Sequence, residues 1–479
     1  MNAHAAHRRL CKELADYIRT QYFGKSPILR HAVEEQLNAQ GVLYQEPYIE
    51  SSPAYCTKVH GITTAELPDW MKTYFAALAD AGLGVYPTPF AHQVQALEAS
   101  VRGEDLFVAT GTGSGKTECF MWPLMAKLAA EARESPVTWQ MRGVRTMIMY
   151  PMNALVSDQV SRLRKLIGDQ AGRFADIFRA HCGTGARRPQ FGMYTGRTPY
   201  PGLKPNKEQD MRLYATLSSI VTPGDAQEQE FFECLVAEGR IPAKADMAAF
   251  LERLEEGRHE PDPEDAELIT RFEMQQVCPD ILITNYSMLE YMLIRPREEN
   301  IWSDTKAWLN TDPANCLQFI IDEAHMYRGA SGGEVALLIR RLFHKLEISR
   351  DRVRFILTTA SMPDGDEMVR RRVLDFARAL TNAGADAPFC YLTGQREMLN
   401  ESPEYDIPFV RFADCDIERF AKGEAEQSAA LRDFWFGLEN GPAQDASLDE
   451  ICIWMYGHIL SYRPFARLIA ICRGEAVSL

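Results

Sequence analysis

The sequence lacks several patterns that mark whole classes of protein. No apolar run approaches the ~18 residues of a membrane-spanning helix, and the first residues, MNAHAAHRRLCKEL, contain no apolar signal-peptide core. The eleven cysteines stand singly, without a C-x-x-C pair. These absences argue against a membrane partner, a disulfide framework and a cysteine zinc site, and they predict a reducing, cytoplasmic location.

An excess of basic charge is also missing. The formal net charge is −14 at pH 7 and the isoelectric point is about 5.3. Because small nucleic-acid-binding domains are often basic overall, any surface of this chain that follows phosphates must be a local patch. The 479 residues are otherwise ordinary in composition and suffice for two or three domains.

Six short strand-like runs recur between residues 85 and 385, and helical stretches separate several of them. One such helix, EVALLIRRLFHKL, carries apolar residues on one face. Apolar strands that alternate with helices predict an α/β fold with a parallel sheet covered by helices on both faces. The runs are LFVAT (106–110), RTMIMY (145–150), FGMYT (191–195), DILIT (280–284), LQFIID (317–322) and RFILTTA (354–360).

Three regions are predicted from these patterns. Residues 1–80 form an N-terminal helical accessory region, 81–385 the α/β domain, and 386–479 a mixed linker or accessory region. Residues 203–275 interrupt the alternation with an acidic, mostly helical insertion. The simpler interpretation of this insertion is a solvated helical surface, and the alternative is a docking site for a partner.

A phosphate-binding loop is predicted at ATGTGSGKTE (109–118), which follows a strand and opens a helix. Its glycines let backbone N–H groups approach phosphates, Lys116 can reach the β and γ phosphates of ATP, and Thr117 can bind Mg²⁺. The strict pattern has glycine where Thr110 stands, and Gly111 can supply some of the same freedom. The predicted nucleotide-binding residues here are Thr112, Gly113, Ser114, Gly115, Lys116, Thr117 and Glu118.

Two adjacent acids follow the strand-like run LQFIID. In P-loop enzymes an acid at the end of a neighbouring strand holds Mg²⁺, and Asp322 fits that position. Glu323 would then lie beside the γ-phosphate, where it could orient or deprotonate the attacking water. We therefore predict Lys116, Asp322 and Glu323 as catalytic residues, and Thr117 and Asp322 as metal ligands.

The combined motifs resemble the first RecA-like domain of superfamily 2 DEAD/DEAH-box helicases. FAHQ (90–93) is similar to the Q motif, which implies that Gln93 pairs with adenine, and IDEAHMYRG is similar to motif II. TTAS (358–361) stands where the family has S-A-T. The resemblance implies that His325, Thr359, Ala360 and Ser361 couple nucleotide state to movement, and that the RecA-like fold uses ATP and Mg²⁺.

Further motifs resemble those with which the family holds a nucleic-acid strand. They are YPMNALVSDQ (150–159), GMYTGRT (192–198) and ITNYSMLEYML (283–293). The resemblance implies single-stranded or partly duplex DNA as the partner, held by its phosphates without reading of sequence. Local positive charge could come from RLRK (162–165). The predicted contact residues are Asn153, Gly196, Arg197, Thr198, Thr284, Asn285 and Arg328.

The stretch after the DEAH box, DEAHMYRGASGGEVALLIRRL, is similar to the MrfA/Hrq branch and its large bacterial relatives. Some of those relatives belong to anti-phage defence systems, and the two settings expected for this protein are anti-phage defence and DNA repair. Members of the branch move 3′ to 5′ on single-stranded DNA, and the resemblance implies the same direction.

One expected motif is missing downstream of residue 361. The second RecA-like domain of such helicases supplies arginines in the pattern Q-x-x-G-R-x-G-R, which this sequence does not contain. The second domain is therefore expected elsewhere in a longer protein or on another chain, and these residues alone are expected to hydrolyse ATP weakly or not at all. His325 is expected to be exposed. A nucleotide-binding scaffold and an RNA helicase are the alternatives.

Overall fold

The computed structural model describes residues 3–478 with these exceptions: 24, 27, 30–32, 34, 35, 38–40, 45–47, 52, 53, 58–60, 112, 201–206, 222–225, 361–366, 397–402, 416–418, 420–422 and 473–476. The side chains of residues 3–5, 153–155, 226 and 478 are also not described. The chain divides into two compact units. The larger unit spans 55–395, and the smaller unit combines 1–54 with 396–479.

Eight parallel strands form the sheet of the larger unit, in the order β5-β4-β6-β3-β7-β8-β2-β9. This sheet confirms the predicted α/β fold class. Numbered along the whole chain, its strands are β2 Asp105–Ala109, β3 Thr146–Tyr150, β4 Phe191–Tyr194, β5 Glu267–Leu268, β6 Ile281–Asn285, β7 Leu317–Ile321, β8 Val353–Thr359 and β9 Phe389–Thr393.

Helices cover both faces of the sheet. In β3 every side chain is buried, with Met147 and Met149 in one apolar core and Ile148 and Tyr150 in the other. This explains why the strands are apolar throughout. The helices are α2 Asp69–Asp80, α3 Ala91–Val101, α4 Glu118–Glu134, α5 Pro136–Gln140, α6 Asn153–Leu166, α7 Arg173–Cys182, α8 Lys207–Val221, α9 Ala226–Ala237, α10 Met247–Glu255, α11 Arg271–Gln276, α12 Tyr286–Ile294, α13 Glu299–Thr311, α14 Ala330–Leu346 and α15 Glu367–Leu380.

The sheet extends beyond the boundary predicted at residue 385. Strand β9 pairs with β2 along its whole length, and Phe389 and Leu392 are buried, so the larger unit continues to Gln395. The segment predicted as an insertion contains α8, α9 and α10, and it ends in the sheet, because the short strand β5 pairs with β4. At its start, the larger unit includes α2, which the sequence places in the accessory region.

The smaller unit is built from both ends of the chain. Its strands β1 Tyr48–Ile49 and β10 Val477–Ser478 pair antiparallel. A separate apolar core contains Ile407, Trp435, Ile451 and Tyr462. Within the described residues of the whole chain, no helix is long and apolar enough to cross a membrane. The helices of this unit are α1 Ala3–Phe23, α16 Phe409–Ala413, α17 Glu424–Trp435, α18 Leu448–His458 and α19 Arg463–Ile471.

Candidate nucleotide and nucleic-acid site

The two predicted halves of the nucleotide site meet at one edge of the sheet. The phosphate-binding loop follows β2 and the acid pair follows β7, and the two strands are separated only by β8. The carboxyl ends of parallel strands share one edge, so both segments reach the same place. Lys116 Nζ lies 3.4 Å from Glu323 Oε1, with side chains that are 15 % and 22 % exposed.

Two glycines give the loop its shape. Gly113 has φ +74° and Gly115 has φ +67°, a region that residues with a Cβ rarely adopt. The buried hydroxyl of Ser114 donates to Thr110 Oγ1 at 2.7 Å, so the threonine at the position of the expected glycine holds the loop together. Thr112 lies outside the described residues.

Two neighbouring side chains of helix α3 form hydrogen bonds to the phosphate-binding loop. His92 Nε2 donates to the carbonyl oxygen of Ser114 at 2.8 Å, and burial is the main cause that lowers the pKa of His92. Gln93 Nε2 donates to the carbonyl oxygen of Gly115 at 3.1 Å, and its Oε1 accepts from the backbone N–H of Phe90 at 2.9 Å. His92 lies within FAHQ, but its residue type alone did not distinguish it as a support of the loop.

The amide of Gln93 is therefore already engaged, and the side chain is 2 % exposed. One N–H and one lone pair remain for another partner. Adenine recognition by Gln93 stays a prediction. Glu118, the last predicted nucleotide-binding residue, is buried beside the loop and accepts from Arg162 at 3.2 Å.

Asp322 sits in a pocket that favours its neutral form. Burial is the main cause that raises its pKa. One oxygen, Oδ1, accepts from the Thr358 hydroxyl and from the backbone N–H of Glu323. Thr358 lies in TTAS and was not among the predicted site residues, because a contact between β7 and β8 cannot be recognised from the order of residues alone.

Glu323 turns the chain sharply after β7. Its φ of +50° lies in the left-handed region and starts a short 3₁₀ turn at Ala324–Met326. That turn brings His325 Nδ1 to 3.1 Å from Thr359 Oγ1 and 3.3 Å from Glu323 Oε2. Of these two contacts of His325, only the one with Thr359 has hydrogen-bond geometry. Glu323 Oε2 is therefore buried without a hydrogen-bond partner among the described residues.

The expectation that His325 is exposed was wrong. Its side chain is 23 % exposed, because the turn that Glu323 starts folds it onto Thr359 of β8. The backbone oxygen of Thr359 also accepts from the N–H of Thr110, which links β8 to the phosphate loop. Ala360 follows directly and is partly buried, and Ser361 lies outside the described residues.

The predicted nucleic-acid residues separate into two groups. Gly196, Arg197 and Arg328 are exposed. Three others are buried and bond to nearby backbone: Thr198 to Met193 O and Thr195 N, Thr284 to Tyr194 O, and Asn285 to Met288 N as the N-cap of α12. Asn153 begins α6, and the structure does not describe its side chain.

The residues that could hold Mg²⁺ fit that ion. Magnesium is usually bound by one or two carboxylates together with substrate phosphates and water, and Asp322 supplies one buried carboxylate. The hydroxyl of Thr117 does not cap α4, although Thr117 stands at the N-cap position. No cluster of three or more histidine, cysteine or acidic side chains suited to a metal occurs in the described part of the chain.

Comparisons with known proteins agree with the motifs. Residues 90–193 match the DEAD/DEAH box helicase family model. The Druantia protein DruE of Escherichia coli (strain UMEA 4076-1) is 37 % identical over 522 aligned residues, which cover 99 % of this chain and 27 % of DruE. The chain thus spans about a quarter of the length of that relative.

Solved helicase structures are also similar. The DUF1998 helicase MrfA bound to DNA is 18 % identical with a TM-score of 0.39, over 85 % of this chain and 40 % of that chain. The DEAD-box helicase Mss116 bound to ssRNA and UDP-BeF is 14 % identical with a TM-score of 0.35, over 75 % and 51 %. Residues 90–193 are therefore similar to DEAD/DEAH box helicases, and the chain as a whole is similar to part of the Druantia protein DruE.

Proposed function

We propose that this chain is the ATP- and Mg²⁺-binding part of a DNA helicase that couples ATP hydrolysis to movement along single-stranded DNA. The observation that carries the proposal is the approach of Lys116 Nζ to Glu323 Oε1 at 3.4 Å, between the segments that follow β2 and β7. A lysine from a phosphate loop and an acid from a DEAH box meet where a γ-phosphate and an attacking water would lie.

Each side chain then has a role that its surroundings support. Lys116 binds the β and γ phosphates and exchanges its ion pair with Glu323 for them. The unpartnered Oε2 of Glu323 accepts a proton from the water and orients it. Thr117 and Asp322 would hold Mg²⁺, and the ion would supply positive charge that neutralises the phosphate oxygens.

Movement requires parts outside these residues. We propose that a second RecA-like domain supplies the missing arginines, which in related phosphoryl-transfer enzymes contribute roughly 10³–10⁵ in rate. The contact of His325 with Thr359 would carry nucleotide state toward that domain. Similarity to DruE favours anti-phage defence over repair as the setting.

The test is ATP turnover with the second domain present, with and without single-stranded DNA. We expect stimulation by DNA, and a loss of at least roughly 10²-fold in Glu323→Gln with nucleotide binding retained. A scaffold module would bind ATP without turnover in both forms, and stronger stimulation by RNA would identify an RNA helicase. Unchanged turnover in Glu323→Gln would contradict the proposed role of the acid.

A further inference from the structure

The basic run RLRK (162–165) lies on α6, and its two arginines contact acids of other elements. Arg164 donates through Nε and Nη2 to the two carboxylate oxygens of Glu267 in β5, each at 2.7 Å. Arg162 Nη1 donates to Glu118 Oε1 at 3.2 Å. The sequence assigned this run to local positive charge, and the structure instead connects both guanidinium groups to the fold.

The partner of Arg162 stands at the start of the nucleotide site. Glu118 follows Thr117 directly and begins α4, and its side chain is 11 % exposed. A Cβ added at Gly115 would lie 3.0 Å from Glu118 Oε2, so this carboxylate lies against the phosphate-binding loop. Because a carboxylate in that place repels the phosphates of ATP, the charge of Arg162 favours ATP binding by neutralising it.

Arg162 shares its guanidinium group between two acids on different helices. Glu118 belongs to α4, whereas Asp158 lies one turn before Arg162 on α6 and is exposed. The Arg162 Nε lies 3.4 Å from Asp158 Oδ2, which is close to the 3.2 Å of the contact with Glu118. A small displacement of α6 relative to α4 would therefore change how far Arg162 neutralises Glu118.

Helix α6 also carries one of the predicted nucleic-acid residues. It begins at Asn153 and continues through Arg162 to Leu166. Helix shifts of about 1–2 Å are a recurrent form of switching in proteins. A bound strand that displaces the start of α6 would displace Arg162 with it, since both residues belong to one helix.

We propose that Arg162 is a positioning residue that couples DNA binding to ATP binding, because it neutralises Glu118 beside the phosphate-binding loop to an extent set by the position of α6. This inference rests on the proposed function and names one contact through which its two ligands communicate. Such coupling is reciprocal: the factor by which DNA changes the affinity for ATP is the factor by which ATP changes the affinity for DNA.

The first test is the affinity for a fluorescent, non-hydrolysable ATP analogue with Mg²⁺, measured without DNA and with the second domain present. Arg162→Gln leaves the Glu118 carboxylate without this partner and should weaken binding roughly tenfold. Combining it with Glu118→Gln removes the uncompensated charge and should restore the affinity, and Arg162→Lys should retain it. Arg212→Gln, which removes an exposed arginine paired with Glu208 on α8, is the matched control and should change nothing.

The neutralisation is overturned if the double variant binds the analogue as weakly as Arg162→Gln. Removal of a second side chain does not repair a loss that comes from general damage to the fold. It is also overturned if Glu118→Gln alone weakens binding as much as Arg162→Gln, since Glu118 would then bind the nucleotide itself.

The second test repeats the titration with saturating oligo-dT, and the ratio of the two dissociation constants gives the coupling factor. We expect a factor of roughly 5 or more in the unaltered protein and a factor close to one in Arg162→Gln. Asp158→Asn removes the alternative partner, so it should keep the affinity without DNA and lower the coupling factor. A factor of one in the unaltered protein, or the same factor in all variants, overturns the coupling. If the unaltered protein binds neither the analogue nor DNA, the proposed function itself fails.

Discussion

Replacing Gly115 by alanine would break the support that α3 gives to the phosphate loop. An added Cβ would lie 2.2 Å from Gln93 Nε2 and 3.0 Å from Glu118 Oε2. Gly113 is a matched control in the same loop, because it also has a positive φ, yet no heavy atom of a described residue outside its chain neighbours lies within 4 Å of its Cβ position.

The two substitutions share one cost and differ in another. Alanine in the left-handed region costs about 1–2 kcal/mol at either position. At Gly115 the Gln93 amide must also move, which removes its hydrogen bonds to Gly115 O and Phe90 N, each worth about 0.5–1.5 kcal/mol net. Gly115→Ala should therefore lower the free energy of unfolding by about 1–3 kcal/mol more than Gly113→Ala.

Urea unfolding of both variants measures this difference, and a fluorescent ATP analogue reports nucleotide affinity in parallel. Combining Gly115→Ala with Gln93→Ala should be less harmful than the sum of the single changes, because the obstructing amide is gone. Gln93 does not support the loop if the two glycine variants are equally destabilised. The same holds if the free-energy changes of Gly115→Ala and Gln93→Ala are strictly additive in the double variant.

Two further predictions concern buried charge. Arg145 is fully buried between Glu131, Asp280 and two tryptophan rings. Arg145→Ala should therefore lower the free energy of unfolding, measured in urea, by about 3–5 kcal/mol. Arg212→Ala, which removes an exposed arginine, is the control and should be nearly neutral. Burial raises the pKa of Asp322 above the ordinary value of ~3.9. The carboxylate therefore loses its charge as the pH falls through this raised pKa. Nucleotide binding that depends on Mg²⁺ should weaken over the same pH range. A pH-independent Mg²⁺ requirement down to about pH 4, or the same pH profile in Asp322→Asn, would contradict this.

The sequence predicted the parts of the fold that depend on local pattern. All six predicted strands exist within about one residue of their bounds, because each is an apolar run that ends at a charge or a loop. Strand β5 could not be found this way, since two residues carry no periodicity. Strand β9 was not predicted and was left in the C-terminal region, because its pairing with β2, which places it in the sheet, is visible only in the structure.

The candidate site shows the same division. Lys116, Thr117, Asp322 and Glu323 were identified from motifs in which residue type and spacing carry the chemistry. The contacts of His325 depend on the left-handed turn at Glu323, which a sequence does not display. The contact of Arg271 with the carbonyl oxygen of Thr195 joins residues 76 positions apart and forms only in the folded chain.

The central claim is that the phosphate loop and the DEAH box form one Mg²⁺–nucleotide site. A crystal structure with Mn²⁺ in place of Mg²⁺ and a non-hydrolysable ATP analogue tests it most directly, since anomalous scattering locates the metal. We expect the metal at about 2.1 Å from Thr117 Oγ1, bound to Asp322 directly or through one water, with the γ-phosphate on Lys116. Metal or nucleotide bound away from Lys116 and Asp322 would contradict it.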